Sequence, residues 1–158
     1  NYFKKEFRCI VLLRDLMDVL ASYMKWYTEN PDAFVNKHGS NDEEKLMFLM
    51  SDDGAIAKEL KAIQNSFNYQ DMCCYIKYND LITNPEPEIK KIYQLLDEPY
   101  YPHQFENLQQ LNINGIGYND TVLGKDMHTI RSTIQKIPNP YKDRIPQSVR
   151  DKYEHIRF

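Results

Sequence analysis

The sequence predicts an α/β fold in which a parallel sheet is flanked by helices, helix-rich over this length, and three observations carry that expectation. The run FRCIVLL, Phe7 to Leu13, is apolar without alternation, as in a strand covered on both faces. A second short apolar run, MCCYIK, lies at 72–77, and the chain between the two has helical patterning. Strand, helices and strand in that order argue for a parallel pair, although two strands are too few for a whole sheet. At 158 residues, with 42% hydrophobic and 27% charged residues, the chain is expected to form a single domain spanning 1–158 with a real core.

After the first strand, a helix is expected from Asp15 to Asn30. Val19, Tyr23, Trp26 and Tyr27 form its apolar stripe, with Leu16 and Leu20 alongside. Asn30-Pro31 ends it, because proline disfavours helical backbone in the residue before it. Residues 32–41 read as a loop. Ser40 or Asn41 then caps a short helix through Met50, and a further helix runs from near Ser51, capped by its hydroxyl, to about Phe67. Beyond the second strand and Tyr78-Asn79-Asp80, the stretch Asn84-Pro85-Glu86-Pro87-Glu88 suits a helix first turn. Proline loses nothing there, and negative charge meets the positive end of the helix dipole. Ile89, Ile92, Tyr93, Leu95 and Leu96 supply that helix's apolar side, and Glu98-Pro99 closes it. Residues 112–126 hold three of the five glycines and read as irregular, and a last helix is expected over Gln147 to Ile156.

Net charge −3 and a pI near 5.8 exclude a general polyanion binder, so no nucleic-acid partner is expected. The charge is uneven, however. Glu29 to Asp53 holds seven acidic residues and two basic, whereas Lys125 to Phe158 holds eight basic and four acidic, suiting either a solvated surface or an anionic ligand. Cys9, Cys73 and Cys74 are odd in number and lie in apolar runs, which favours reduced core thiols, a reducing compartment and a cytoplasmic location. The Golgi lumen stays open as the alternative if a targeting segment was removed. No CxxC spacing suggests a metal, and no run has the length of a membrane helix.

The candidate chemistry begins at Arg14, at the carboxyl end of the first strand, where open α/β sheets bind ligands. The next helix begins there and favours an anion, and a guanidinium forks onto two phosphate oxygens. Read locally, two alternatives stand. Either Arg14 pairs with Asp18 four residues on and Ser22 is a small residue at a helix contact, or both serve an anion. The later segment LGKDMHTIRSTIQKI holds Gly124, Lys125, His128 and Arg131, with His128 and Arg131 three apart, and on its own reads as a solvated basic face.

Two stretches resemble one family. VLLRDLMDVLASYMKW, residues 11–26, resembles the 3′-phosphate-binding segment of sulfotransferases that use 3′-phosphoadenosine-5′-phosphosulfate (PAPS), with Arg14, Asp15, Asp18, Val19 and Ser22 in register. Leu16 departs from the proline often found after Arg-Asp. YIKYNDLITNPEPEIKKIYQLLDEPY, residues 75–100, is similar to the strand, Tyr-Glu-Asp-Leu and helix series that follows, with Asn79 replacing the usual acid. The resemblance covers about residues 7–101 and implies a fold related to P-loop nucleotide hydrolases. It implies Arg14 and Ser22 on the 3′-phosphate and Tyr78 near the adenosine. Lys125, His128 and Arg131 would stand in a late basic loop over the nucleotide.

By the same resemblance PAPS is the co-substrate, 3′-phosphoadenosine-5′-phosphate (PAP) the product, and an unidentified hydroxyl or amine the acceptor, without a metal. The acceptor side is expected in the aromatic segment from Tyr27 to Phe48. The family's Gly/Ser/Thr/Lys-rich loop for the 5′-phosphosulfate has no counterpart, since no glycine precedes Gly39. The family's catalytic His or Glu lies upstream of the Arg-Asp strand, where Glu6 stands too close to inherit the role, and no base is assigned to His38, His103 or His128. The chain is therefore expected to be the C-terminal two-thirds of such a domain. The rival readings are a P-loop nucleotide kinase relative and a non-catalytic interaction domain with the same fold.

Overall fold

The computed structural model describes residues 7–109, 112–113, 116–117 and 130–158. Strand β1 (Cys9–Leu13) pairs in parallel with β2 (Cys73–Lys77), in the register Val11 opposite Tyr75 and Leu13 opposite Lys77. Parallel pairing requires the long crossover that intervenes, and the crossover consists of three helices, α1 (Leu16–Glu29), α2 (Asp42–Leu49) and α3 (Ala55–Ser66). The expected fold class is thus the observed one. The strand pair is covered on one face only among the described residues, not two. Val11, Leu13, Cys74 and Ile76 are buried, whereas Ile10 and Leu12 are 50% and 51% exposed. An apolar run lacking polar alternation does not itself supply a layer for its second face.

Helix α1 begins where Asp15 caps it, its carboxylate accepting the N–H of Asp18 at 3.0 Å. It ends at Asn30, whose side-chain amide donates to the Trp26 carbonyl at 2.8 Å before Pro31 breaks the pattern. Its buried stripe is Leu16, Leu20, Met24 and Tyr27, flanked by Met17 and Ala21. The expected stripe is therefore turned. Val19, Tyr23 and Trp26 lie at its margin, partly buried, and the flexible or small side chains of Met17, Ala21 and Met24 take the centre. This stripe meets Val35, Leu46, Leu49, Ile56, Ile145 and Val149 in one core cluster.

Asn41, not Ser40, caps α2 by accepting the Glu44 N–H at 2.9 Å, while Glu44 reaches back to the N–H of Ser40. Ser51 does not cap α3. Its hydroxyl donates to the Phe48 carbonyl at 2.7 Å, and the helix starts after Gly54. Gly54 is required by close approach, since a Cβ there would stand 2.2 Å from the Leu49 carbonyl oxygen. An irregular helical turn, Phe67–Met72, leads into β2, so that strand starts one residue later than expected.

The chain after β2 turns at once into a helix the sequence did not announce, α4 (Tyr78–Thr83), followed by α5 (Pro85–Leu96) with proline in its first turn. Asp97 closes α5 in the left-handed conformation, φ 56°, which Asp tolerates better than most residues. Two short antiparallel strands, β3 (Asn112–Ile113) and β4 (Ile116–Gly117), fall in the stretch expected to be irregular. Asn139 accepts the Tyr141 N–H to cap a tight turn at Pro140–Arg144, and α6 (Gln147–Tyr153) stops short of the expected Ile156.

All three thiols are free, but only Cys74 is a core thiol, and burial pushes its pKa up. Cys73 is half-buried and Cys9 exposed. Among the described residues no helix is long and apolar enough to cross a membrane, and no group of three His, Cys, Asp or Glu side chains converges as a metal site would.

Candidate functional site

The strand register builds the site. Because Leu13 is level with Lys77, the next residues, Arg14 and Tyr78, emerge side by side beyond the carboxyl ends of β1 and β2. The Arg14 guanidinium carbon lies 4.5 Å from the centre of the Tyr78 ring, a cation–π contact. Arg14 makes no ion pair with Asp18, so the first of the two local alternatives does not hold. Its Nε is buried and without a hydrogen-bond partner among the described residues. Buried donors are seldom left so, and an acceptor from a ligand would complete this one.

The carboxylates beside Arg14 are held elsewhere. Lys142 Nζ lies 2.6 Å from Asp18 Oδ1 and 3.1 Å from Asp15 Oδ1, and Arg157 is 2.9 Å from Asp15 Oδ2. Burial pushes the Asp15 carboxyl up, but the hydrogen bonds from Lys142 and the Asp18 N–H, with the charges of Lys142 and Arg157, outweigh it and hold Asp15 below the usual carboxylate range. Burial lowers the Lys142 ammonium, and its bonds to Asp18 and Asp15 more than reverse that, leaving it above the ordinary lysine value. The start of α1 is thus already supplied with negative charge by Asp15 and Asp18. The positive charge at this point is that of Arg14 and its neighbours, not of the helix end that the sequence suggested.

Ser22 lies two turns along α1, its hydroxyl donating to the Asp18 carbonyl at 2.9 Å. A cleft of about 570 Å³ joins it to Arg14 and Tyr78, and its lining also includes Arg131. The stretch 136–142 lines it too, held in place by the Asn139 cap and by Arg150, which donates to the carbonyls of Lys142 and Ile145. The lining holds five cations, Arg14, Lys25, Arg131, Lys136 and Lys142, and two carboxylates, Asp18 and Glu29. With Lys142 and Asp18 paired, the cleft keeps a surplus of positive charge. Arg14 and Tyr78 also border a smaller recess of about 270 Å³, with Asp15, Asp80 and Arg157.

Of the residues expected from the sequence, Arg14, Ser22, Tyr78 and Arg131 border one cleft. Lys125 and His128 lie outside the described residues. Sequence reasoning did not single out Lys25, Lys136 or Lys142; the basic excess of the last 34 residues was the only signal for the latter two. No described histidine lines the cleft. His38 stacks flat on Phe48 with ring centres 3.7 Å apart, and His103 Nε2 shares a 2.9 Å hydrogen bond with the Tyr93 hydroxyl. Of the segment expected to face an acceptor, Glu29 alone reaches the cleft lining, while Phe34, His38 and Phe48 form a separate aromatic group.

Comparison with known proteins gives one match. The sulfotransferase domain family matches residues 1–128, a span that includes Arg14, Ser22 and Tyr78. No curated protein and no solved structure matches the chain significantly.

Proposed function

As the chain belongs to the sulfotransferase domain family, we propose that its cleft beside Arg14 receives the 3′-phosphate and adenosine of PAPS, or of the product PAP. The supporting observation is that Arg14, Ser22, Tyr78 and Arg131 border one cation-rich cleft. Its volume of about 570 Å³ is in the range of small-molecule sites. The unpartnered Nε of Arg14 is a donor suited to a phosphate oxygen. The Ser22 hydroxyl retains acceptor capacity and can rotate to donate. Tyr78 offers a ring face beside the same guanidinium, where an adenine or ribose would rest. Lys125 and His128 belong to the same proposal as further basic contacts.

The reaction served is transfer of a sulfuryl group from PAPS to a hydroxyl or amine acceptor: the sulfur–oxygen bond to the 5′-phosphate breaks as the bond to the acceptor forms, PAP leaves with the bonding pair, and the acceptor's proton passes to a base or to solvent. This chain's part is to hold the nucleotide end of the donor, so that binding energy remote from the sulfur orients the reacting group. Calorimetric titration tests the reading with PAP against adenosine 5′-phosphate. PAP is expected to bind at least about tenfold more tightly, some 1.4 kcal/mol. Arg14→Ala is expected to abolish that preference while the circular dichroism spectrum is kept. Equal affinity for the two nucleotides, or binding of neither, overturns the proposal.

A further inference from the structure

We infer that Lys142 is a positioning residue for the anion site: by occupying Asp15 and Asp18 it withholds both carboxylates from Arg14 and leaves the guanidinium open to a ligand phosphate. The inference rests on the nucleotide reading above but concerns a residue beyond the family match, which ends at residue 128.

Arg14 borders the cleft together with Asp18 and the smaller recess together with Asp15, so both carboxylates stand near its guanidinium. An ion pair to either would compete directly with a bound phosphate for the same guanidinium edge. No ion pair to Arg14 forms among the described residues, and its Nε is buried with no partner. The two carboxylates are instead taken by cations from the far end of the chain. Lys142 reaches Asp18 at 2.6 Å and Asp15 at 3.1 Å, and Arg157 takes the second oxygen of Asp15. An ammonium suits this task, as a compact charge whose three donors serve two acceptors in different directions. Its placement is not incidental. The Lys142 carbonyl accepts from Arg150, and the turn that carries it is capped by Asn139. The Tyr78 ring, 4.5 Å from the guanidinium carbon, holds Arg14 without occupying its hydrogen-bonding edge.

A double-mutant cycle on the 158-residue chain separates this role from direct ligand contact or plain structural support. Lys142→Gln, which removes the charge and keeps a donor, is expected to weaken PAP binding about tenfold in calorimetry. Lys142→Gln combined with Asp18→Asn is expected to recover most of the loss, and Lys142→Arg to retain affinity. Asp18→Asn alone closes the cycle, and strictly additive effects of the two substitutions overturn the inference. A second readout needs no nucleotide. The Arg14 Nε–H resonance in ¹⁵N NMR is expected to shift in Lys142→Gln, as Asp18 swings to Arg14, and to return when Asp18→Asn is added. An unmoved resonance overturns the positioning role whatever the nucleotide does. A moved and restored resonance in a chain that does not prefer PAP keeps it and overturns the nucleotide reading instead.

Discussion

Arg14 and Tyr78 leave adjacent parallel strands at the same level, and the guanidinium of one rests 4.5 Å over the ring of the other. The contact gives the two strand ends a shared orientation and fixes the arginine without using up its hydrogen-bonding edge. Tyr78→Phe keeps the ring and is expected to leave the affinity for PAP within about threefold. Tyr78→Ala removes a contact worth about 0.5–2 kcal/mol and frees the arginine, so the affinity is expected to fall by between about twofold and thirtyfold. Calorimetry on the two variants side by side checks the prediction, and equal losses would mean that the hydroxyl, not the ring, matters.

The core rests on α1. Leu20 is fully buried in the cluster that joins α1 to Leu46, Leu49 and Val149. Leu20→Ala is expected to lower unfolding free energy by about 2–5 kcal/mol through lost transfer energy and a residual cavity. Ile10, in a strand but half exposed, is the control: Ile10→Thr is expected to stay within about 0.5 kcal/mol. Urea denaturation of both variants distinguishes them.

Gly54 sits against the carbonyls that end α2. Its own φ of −75° is open to any residue, so conformational freedom is not what holds glycine there. A methyl group would meet the Leu49 and Phe48 carbonyl oxygens at 2.2 and 2.3 Å, backbone atoms that cannot swing aside. Gly54→Ala is expected to cost about 1–3 kcal/mol as α3 is pushed off α2, read as a lowered urea midpoint.

The Asp15–Lys142 clasp sets a pH dependence with opposite signs at its two ends. Asp15 has its pKa lowered on folding, so its contribution is complete above the unfolded carboxylate value and is lost as pH falls through the lower folded value. Lys142 has its pKa raised, so its contribution is complete below the unfolded lysine value and is lost as pH rises through the higher folded one. Asp15→Asn retains a competent helix cap and removes the charge. It is expected to flatten the acid limb of the stability profile, measured as urea midpoints between about pH 2 and 7 in the chain and the variant. An unchanged acid limb would show that Asp15 adds nothing to stability through its charge.

What was legible in the sequence follows from the range of the interactions involved. The end of β1, the break at Pro31 and the first turn of α5 are local matters, written in neighbouring residues, and the structure has each of them; Asp15, expected as the first residue of α1, is instead its cap. The Asn41 cap was one of two local options and needed the structure to choose it. The free state of Arg14 was not legible, because the residue that keeps Asp18 away from it lies 124 positions along the chain. The turned stripe on α1 was missed because aromatic rings outweigh Met and Ala in a periodicity count, although flexible and small side chains fit the tight centre of this core. Helix α4 was missed because six residues beginning YND carry too short a pattern to separate a helix from a turn. The Gly54 start of α3 was missed because a serine three residues earlier offers the more familiar cap.

The pairing of Leu13 with Lys77 has a mechanical consequence. Side chains alternate along a strand and each residue advances it by about 3.3 Å, so the ladder acts as a ruler for everything mounted at its end. Deleting one residue within Cys9–Leu13 would let the strands re-pair with nearly the same number of hydrogen bonds. It would still shift the mounting point of Arg14 by one graduation and send its side chain to the opposite face. Tolerance to substitution at the half-exposed Ile10 and Leu12 and intolerance to a change in the length of β1 are expected to coexist in this chain.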